Sequence, residues 1–207
     1  MKIEVNTQSS IKIIDGITIY IDPFQIEQEP HDADFILITH EHYDHFDIES
    51  IHKVKKENTI LIVPDSIITK VFPSGFNMKN VRGVLPNESY TIDGLSFETI
   101  PSYNINKQFH PKEKKYVGYI LNLSERILIS GDTDATEELK QVNCDIACIP
   151  IGGTYTMTVD EAAEVIHTIK PKKVIPTHYG SIVGDKNLGE KLKEKINKDT
   201  ECILVLD

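Results

Sequence analysis

The sequence predicts an α/β protein built as a four-layer α/β/β/α sandwich, two sheets face to face with helices on their outer sides. Three observations predict it. Strand-like segments predominate in both halves, an amphipathic helical stretch interrupts the first set, and strand and helix patterns alternate towards the C-terminus. Two sheets and appended helices bury their apolar faces together when the sheets stack and the helices cover the outer faces.

Taken in order, "MKIEV", "IKIID", "ITIYI", "FILIT" and "TILIV" are rich in Ile, Val and Thr and are punctuated by Gly, Pro and Asp, the signature of short strands. Between the last two, Ile48, Ile51 and Val54 recur every third residue, so "DIESIHKVKK" reads as a short amphipathic helix, with His52 beside the stripe and at the surface. After residue 80 a second set of strands is expected, "VRGVL", "SYTID", "LSFETI", "YVGYILNL" and "RILIS", with Asp93-Gly94 as a turn. The remainder alternates: strand "DIACIPI", a helix from Val159 to Lys170, strand "KVIPT", a helix near residues 187 to 197, and strand "CILVL". Thr158 and Glu161 form a capping box, and Val159, Ala162, Ala163, Ile166 and Ile169 make the apolar face behind it. Leu188, Leu192 and Ile196 give the last helix a stripe that packs on its own sheet or on a neighbour, so the oligomeric state stays open.

A chain of 207 residues without repeat, low-complexity tract or linker suits a single domain, 1–207. Its net charge of -10 disfavours nucleic acid and anionic membrane as partners, because the average surface field repels polyanions. "MKIEVNTQSS" lacks the apolar stretch of a signal peptide, and no apolar run approaches the roughly 18 to 20 residues that span a bilayer, so a cytoplasmic location is expected. Cys144, Cys148 and Cys202 are an odd count without paired spacing and read as packed thiols rather than disulfides or ligands.

Three of the eight histidines fall in "HEHYDH", residues 40 to 45. If the preceding strand continues extended, His40, His42 and Asp44 project from one face, and His45 reaches a second point where the chain turns into its helix. That arrangement suits two adjacent metals: two imidazoles on one, a carboxylate and an imidazole on the other. The H-E-x-x-H zinc helix does not apply, because Asp44 stands where its second histidine belongs. A packed-core origin would be costly for so many polar groups. Further ligands are expected at other strand ends, and two fit: Asp132 in "SGDTD" and His178 in "PTHYG".

With those residues in place, His-x-His-x-Asp-His after a strand, then "SGDTD", then "PTHYG" resembles the metallo-β-lactamase superfamily over most of the chain. "TIYIDPF", "IPIGGTYTMTVDEAAEVI" and "IPTHYG" are similar to the branch of L-ascorbate 6-phosphate lactonase-like and related metal-dependent hydrolases. The resemblance implies that His40 and His42 bind a first metal, that Asp44, His45 and His178 bind a second, and that Asp132 bridges them. It implies two zinc ions, with manganese or iron as alternatives, since the iron-binding relatives place a carboxylate where His42 stands. One departure is evident: Asn104 aligns with the third histidine that the superfamily supplies to the first metal. That site is then weak, or it recruits His110, which otherwise contacts substrate or lies exposed.

The implied activity is hydrolysis of a small-molecule ester, lactone or phosphorylated substrate, expected to be anionic, by a metal-bound hydroxide available at neutral pH. Asp132, Asp44 and His110 are the catalytic candidates, with Lys107, Tyr103 and Tyr179 as further donors to the leaving group. Gly152 and Gly153 either let the backbone approach the site, with Thr154 and Tyr155 donating to an anionic substrate, or merely form a turn into the capped helix. His31 and His167 are expected at the surface, Asp22 in a turn as a structural residue or in support of the site's ligands, and Asp134 in support of Asp132. The competing readings are a phosphodiesterase or nuclease of the same superfamily and a metal-binding protein without hydrolytic activity.

Overall fold

A computed structural model describes residues 1–206 and arranges them as two stacked mixed sheets with helices outside. The first sheet runs β1 (Lys2–Val5), β2 (Ile11–Ile14), β3 (Thr18–Ile21), β4 (Ala33–Leu37), β5 (Lys55–Pro64) and β6 (Val81–Val84) in that spatial order. The second comprises β7 (Ser89–Ile92), β8 (Leu95–Pro101), β9 (Val117–Asn122), β10 (Arg126–Ile129), β11 (Ile146–Pro150), β12 (Lys173–Thr177) and β13 (Glu201–Cys202), again in chain order across the sheet. Each sheet is antiparallel along its meander edge and parallel along the other. The expected four-layer sandwich is the observed fold.

Alternation along the strands explains the layers. On β4, Phe35 and Leu37 point between the sheets, where they meet Phe97, Val117, Tyr119 and Ile129 of the second sheet. Ile36 and Ile38 point the other way, under Ile51 and Val54 of α1 (Ile48–Val54). The outer face of the second sheet is covered by α2 (Val159–Ile169) and α3 (Leu188–Lys195), through Ala162, Ala163, Ile166 and Leu192. The stripe on α3 therefore packs on its own sheet. Thr158 and Glu161 close their capping box as expected, each satisfying a donor at the start of α2.

Three details differ from the sequence reading. The "VRGVL" segment joins the first sheet, pairing parallel with β5 from Leu61↔Val81 to Pro64↔Val84. The crossover that permits this parallel pairing is a 3-10 segment, Asp65–Ser74, which sequence pattern did not reveal; its Ile67 and Val71 cover the same outer face as α1. The helix after the histidine cluster ends at Val54, because Lys55 and Lys56 already belong to β5. The "CILVL" strand shrinks to Glu201–Cys202 at the sheet edge. Cys144, Cys148 and Cys202 are free, and burial pushes the Cys144 and Cys148 thiols up to about 11 and about 12, as suits packed side chains.

Tyr119, on the inner face of β9, donates its buried hydroxyl to the Ile38 carbonyl, 2.7 Å away, two residues before the histidine cluster. This bond ties the second sheet to the end of β4. Tyr119→Phe is expected to lower unfolding free energy by about 1 kcal/mol in urea titrations, since it strips a buried carbonyl of its donor.

Candidate metal centre

All six residues singled out in the cluster and at the strand ends meet at one end of the sandwich, with His110. Among the described residues, three groups have ligand atoms within 4.8 Å of one another and could hold a metal ion: His40, His42 and His110; His40, His45 and Asp132; and Asp44, His45 and His178. The groups share members, so they form one continuous centre.

The cluster does not continue the strand. β4 stops at Leu37, and the chain turns immediately after His40, with the His45 and Phe46 N–H groups both donating to the His42 carbonyl. The turn sends His45 to the far side of His40, where their rings lie 4.0 Å apart. Asp132 follows β10, and its backbone carbonyl accepts from the Ser102 hydroxyl. His178 follows β12 in a left-handed conformation, φ 58°, uncommon for a residue other than glycine, and its N–H donates to the Gln8 carbonyl. Gly152 is required here: a Cβ would sit 2.4 Å from the His178 carbonyl oxygen.

Three of the imidazoles are aimed by a dedicated partner. The Thr39 hydroxyl donates to Asp22 at 2.6 Å and so accepts from His40 Nδ1–H at 3.0 Å, leaving His40 Nε2 to face His42 Nδ1, 3.0 Å away. The fully buried Asp22 accepts from His45 Nδ1 at 2.7 Å and turns His45 Nε2 inward. Of the two readings of Asp22, the supporting one fits: it positions a histidine. Asn104 Oδ1 accepts both the backbone N–H and the Nδ1–H of His110, each at 3.0 Å, while its Nδ2 donates to Asp134 and to the Tyr155 carbonyl. His110 Nε2 then comes within 3.2 Å of His42 Nδ1. Asn104 is therefore the residue that aims His110, and His110 supplies the third imidazole of that group.

The electrostatics divide the centre in two. Burial pushes His40 well below the ordinary imidazole value, His42 below it, and His110 down to about 4, so this trio presents neutral nitrogens with lone pairs. For His45, burial is outweighed by the carboxylates of Asp132 and Asp22, which hold it well above the ordinary value; for His178, Asp132 and Asp44 outweigh burial and raise it to about 9. Burial likewise disfavours the Asp132 anion, but His178 and His45 overcome that and keep it ionised. The inward atoms His45 Nε2 and Asp132 Oδ1 are buried without hydrogen-bond partners and stand 3.5 Å apart. Converging imidazoles, two carboxylates and these orphaned buried atoms fit a metal cation, whose arrival would displace the protons that His45 and His178 otherwise carry.

Two supports were invisible in the sequence. Gln8, fully buried at φ 49°, reaches Asp44 with Nε2 at 3.4 Å and accepts from the Ser181 hydroxyl, besides holding His178. Tyr116 lies beside His40, ring centroids 5.2 Å apart, and donates to Glu41, which Lys70 and Lys114 also engage. A lone glutamine in a polar turn carries no pattern, whereas Glu41 between two clustered histidines was a legible hint. Of the proposed proton donors, Tyr103 is occupied with Glu138, Lys107 pairs with Asp134 at 2.5 Å, and Tyr179 packs in the core under α2 and α3. None lines the pocket over the centre. Thr154 is exposed and does not line it either, whereas Tyr155 does. His52 is exposed, His31 is half-exposed, and His167 is partly buried at the end of α2 rather than at the surface.

That pocket measures about 250 Å³, with His42, Asp44, His110, Asp132 and His178 as floor and Tyr43, Phe109, Tyr155 and Ile182 as walls. The sequence profile of the beta-lactamase superfamily domain matches residues 3–178, from the first strand to the last histidine of the centre. The chain belongs to this superfamily. Among its superfamily relatives, the UPF0173 metal-dependent hydrolase of Nanoarchaeum equitans is 32% identical over 224 aligned positions, covering 99% of this chain and all of that protein. The UPF0173 metal-dependent hydrolase of Methanopyrus kandleri is 26% identical and covers 93% of this chain and 90% of its own. A solved structure from Parabacteroides distasonis, described as a candidate metal-dependent hydrolase, superposes with a TM-score of 0.83 at 29% identity, over 99% of this chain and 93% of that one. Igni18, a metallo hydrolase of Ignicoccus hospitalis, shares the fold at TM-score 0.76 and 21% identity, over 98% and 93% of the two chains.

Asn104→Ala is expected to weaken metal binding about 10- to 100-fold, because partners that orient a ligand contribute on that scale; competition against a chromophoric chelator measures it. An unchanged affinity would show that His110 needs no such support.

Proposed function

We propose that this protein is a hydrolase working with two transition-metal ions, zinc in the first instance and manganese or iron as alternatives. His40, His42 and His110 would hold one ion, Asp44, His45 and His178 the other, and Asp132 would span both. The observation that carries this reading is that a three-imidazole group and a carboxylate–two-imidazole group meet at one buried carboxylate beneath an open pocket. The names of the UPF0173 relatives support hydrolysis, and the resemblance to the lactonase-like branch supports a carbonyl substrate.

When bound, such ions supply a water that ionises near neutral pH and polarise the oxygen of the bond to be cleaved. The chain does the rest. His40, His45 and His110 are locked in one tautomer by Thr39, Asp22 and Asn104, so little reorganisation accompanies the reaction. Asp44 and Asp132 are the carboxylates on the pocket floor and are the groups placed to accept the proton of the attacking water. Tyr43 and Tyr155 are the wall residues bearing a hydroxyl and are the side chains placed to meet a leaving group.

The rival readings lose support. Among the described residues no Lys or Arg lines the pocket, which with the net charge of -10 leaves a nucleic-acid backbone no basic side chains there beyond the metal ions themselves. The non-hydrolytic reading rested on Asn104 in place of a histidine, and His110 fills that place.

Protein purified without chelator is expected to carry close to two equivalents of transition metal by elemental analysis; fewer than about half an equivalent would sink the proposal. Asp132→Asn is expected to lower kcat/KM on the best ester or lactone about a hundredfold or more, and retention of full activity would remove Asp132 from its spanning role.

A further inference from the structure

We infer that the substrate carries an apolar ring or short apolar chain beside its scissile bond, bound between Phe109 and Tyr155 on one side and Tyr43 and Ile182 on the other. This rests on the hydrolase reading and names the substrate class of the same site. It replaces the expectation of an anionic substrate.

Of the nine large hydrophobic side chains that the described surface exposes, three stand around this one pocket: Tyr43 at 66%, Phe109 at 45% and Ile182 at 44%. Apolar groups left in water in one place mark a binding wall more often than chance exposure does. The aromatic walls are also held in position. Phe109 meets Tyr155 edge to face, centroids 4.6 Å apart at 88°, and Tyr43 leans edge-on against the buried Phe24 at 6.0 Å. Asn104 ties this wall to the metal-facing histidine, since it accepts from His110, the neighbour of Phe109, and donates to the carbonyl of Tyr155.

Charge argues the same way. Lys107, Lys112 and Lys114, which flank Phe109 in sequence, are committed to Asp134 at 2.5 Å, Glu138 at 2.9 Å and Glu41 at 3.2 Å, and among the described residues no Lys or Arg lines the pocket. A phosphate or carboxylate remote from the scissile bond would therefore lie against aromatic carbon without a partner cation. Size limits the group as well. A cavity of roughly 150 Å³ takes a benzene ring, so about 250 Å³ admits one ring with the reacting carbonyl.

The test compares ethyl acetate, ethyl phenylacetate, ethyl hexanoate and monoethyl succinate on the zinc-loaded protein, a series in which the ethanol leaving group stays constant. The expected kcat/KM for phenylacetate and hexanoate exceeds that for acetate by about thirtyfold or more, with succinate below acetate. Phe109→Ala and Tyr155→Ala collapse the phenylacetate-to-acetate ratio at least fivefold, and Phe109→Leu restores most of it. A flat series, or a preference for succinate, overturns the inference while the hydrolase reading stands. Binding provides the independent readout: saturation-transfer NMR with phenylacetamide, acetamide and succinamate, before and after chelation of the metal. Selective saturation of phenylacetamide that is lost in a Phe109→Ala/Tyr155→Ala double variant supports the apolar wall even if none of the esters is hydrolysed, in which case hydrolysis of simple ethyl esters falls alone. Equal saturation of the three amides overturns the inference in either case.

Discussion

Asp132 places a carboxylate at the end of β10 almost out of reach of water, where a lone anion would cost several kcal/mol or take up a proton instead. Its surroundings answer that cost. His178 Nε2 lies 3.0 Å from one of its oxygens and His110 Nε2 3.4 Å from the same one, while His45 approaches the other. Those imidazoles must be held in place by something other than Asp132 itself, and this requirement propagates outwards. It accounts for the burial of Asp22 behind His45, of Asn104 behind His110 and of Gln8 beside Asp44 and His178.

The two halves of the centre meet different physical demands. The trio of His40, His42 and His110 is kept neutral by burial and mutual repulsion, so it offers lone pairs without first losing protons. The group around Asp44, His45 and His178 is rich in opposite charge, with Asp44 beside both histidines and Asp22 behind His45. A cation entering the second half competes with protons, and one entering the first does not. Metal uptake in the two halves would therefore depend differently on pH, although the turn from His40 to His45 contributes to both.

The parts legible in the sequence were those with a pattern of their own. The strands announced themselves through Ile- and Val-rich runs, and His40, His42, Asp44, His45, Asp132 and His178 through their places after such runs. His110 was harder, because it lies in a long polar loop, and counting along that loop pointed to Asn104. The loop folds back so that the Asn104 N–H donates to the His110 carbonyl, which exchanges the roles that position suggested. β6 was assigned to the wrong sheet for a similar reason: the 3-10 crossover before it has neither helical nor strand periodicity, so the route of the chain was hidden. Gln8 was illegible altogether, since its importance arises from a contact with Ser181 across 173 positions.

That contact bears on the order in which a growing chain acquires its chemistry. The imidazole trio is complete in sequence once His110 has been made, whereas the second group needs His178 and then a return to the turn between β1 and β2. Domains are synthesised from the N-terminus, and closing so long a loop requires the intervening sheet to be built first. A polypeptide interrupted between these two points already carries Asp44 and His45 but lacks the His178 that joins them. The join between Gln8 and His178 thus ties the first turn of the chain to its last ligand-bearing strand end, and it closes only after both sheets have been made.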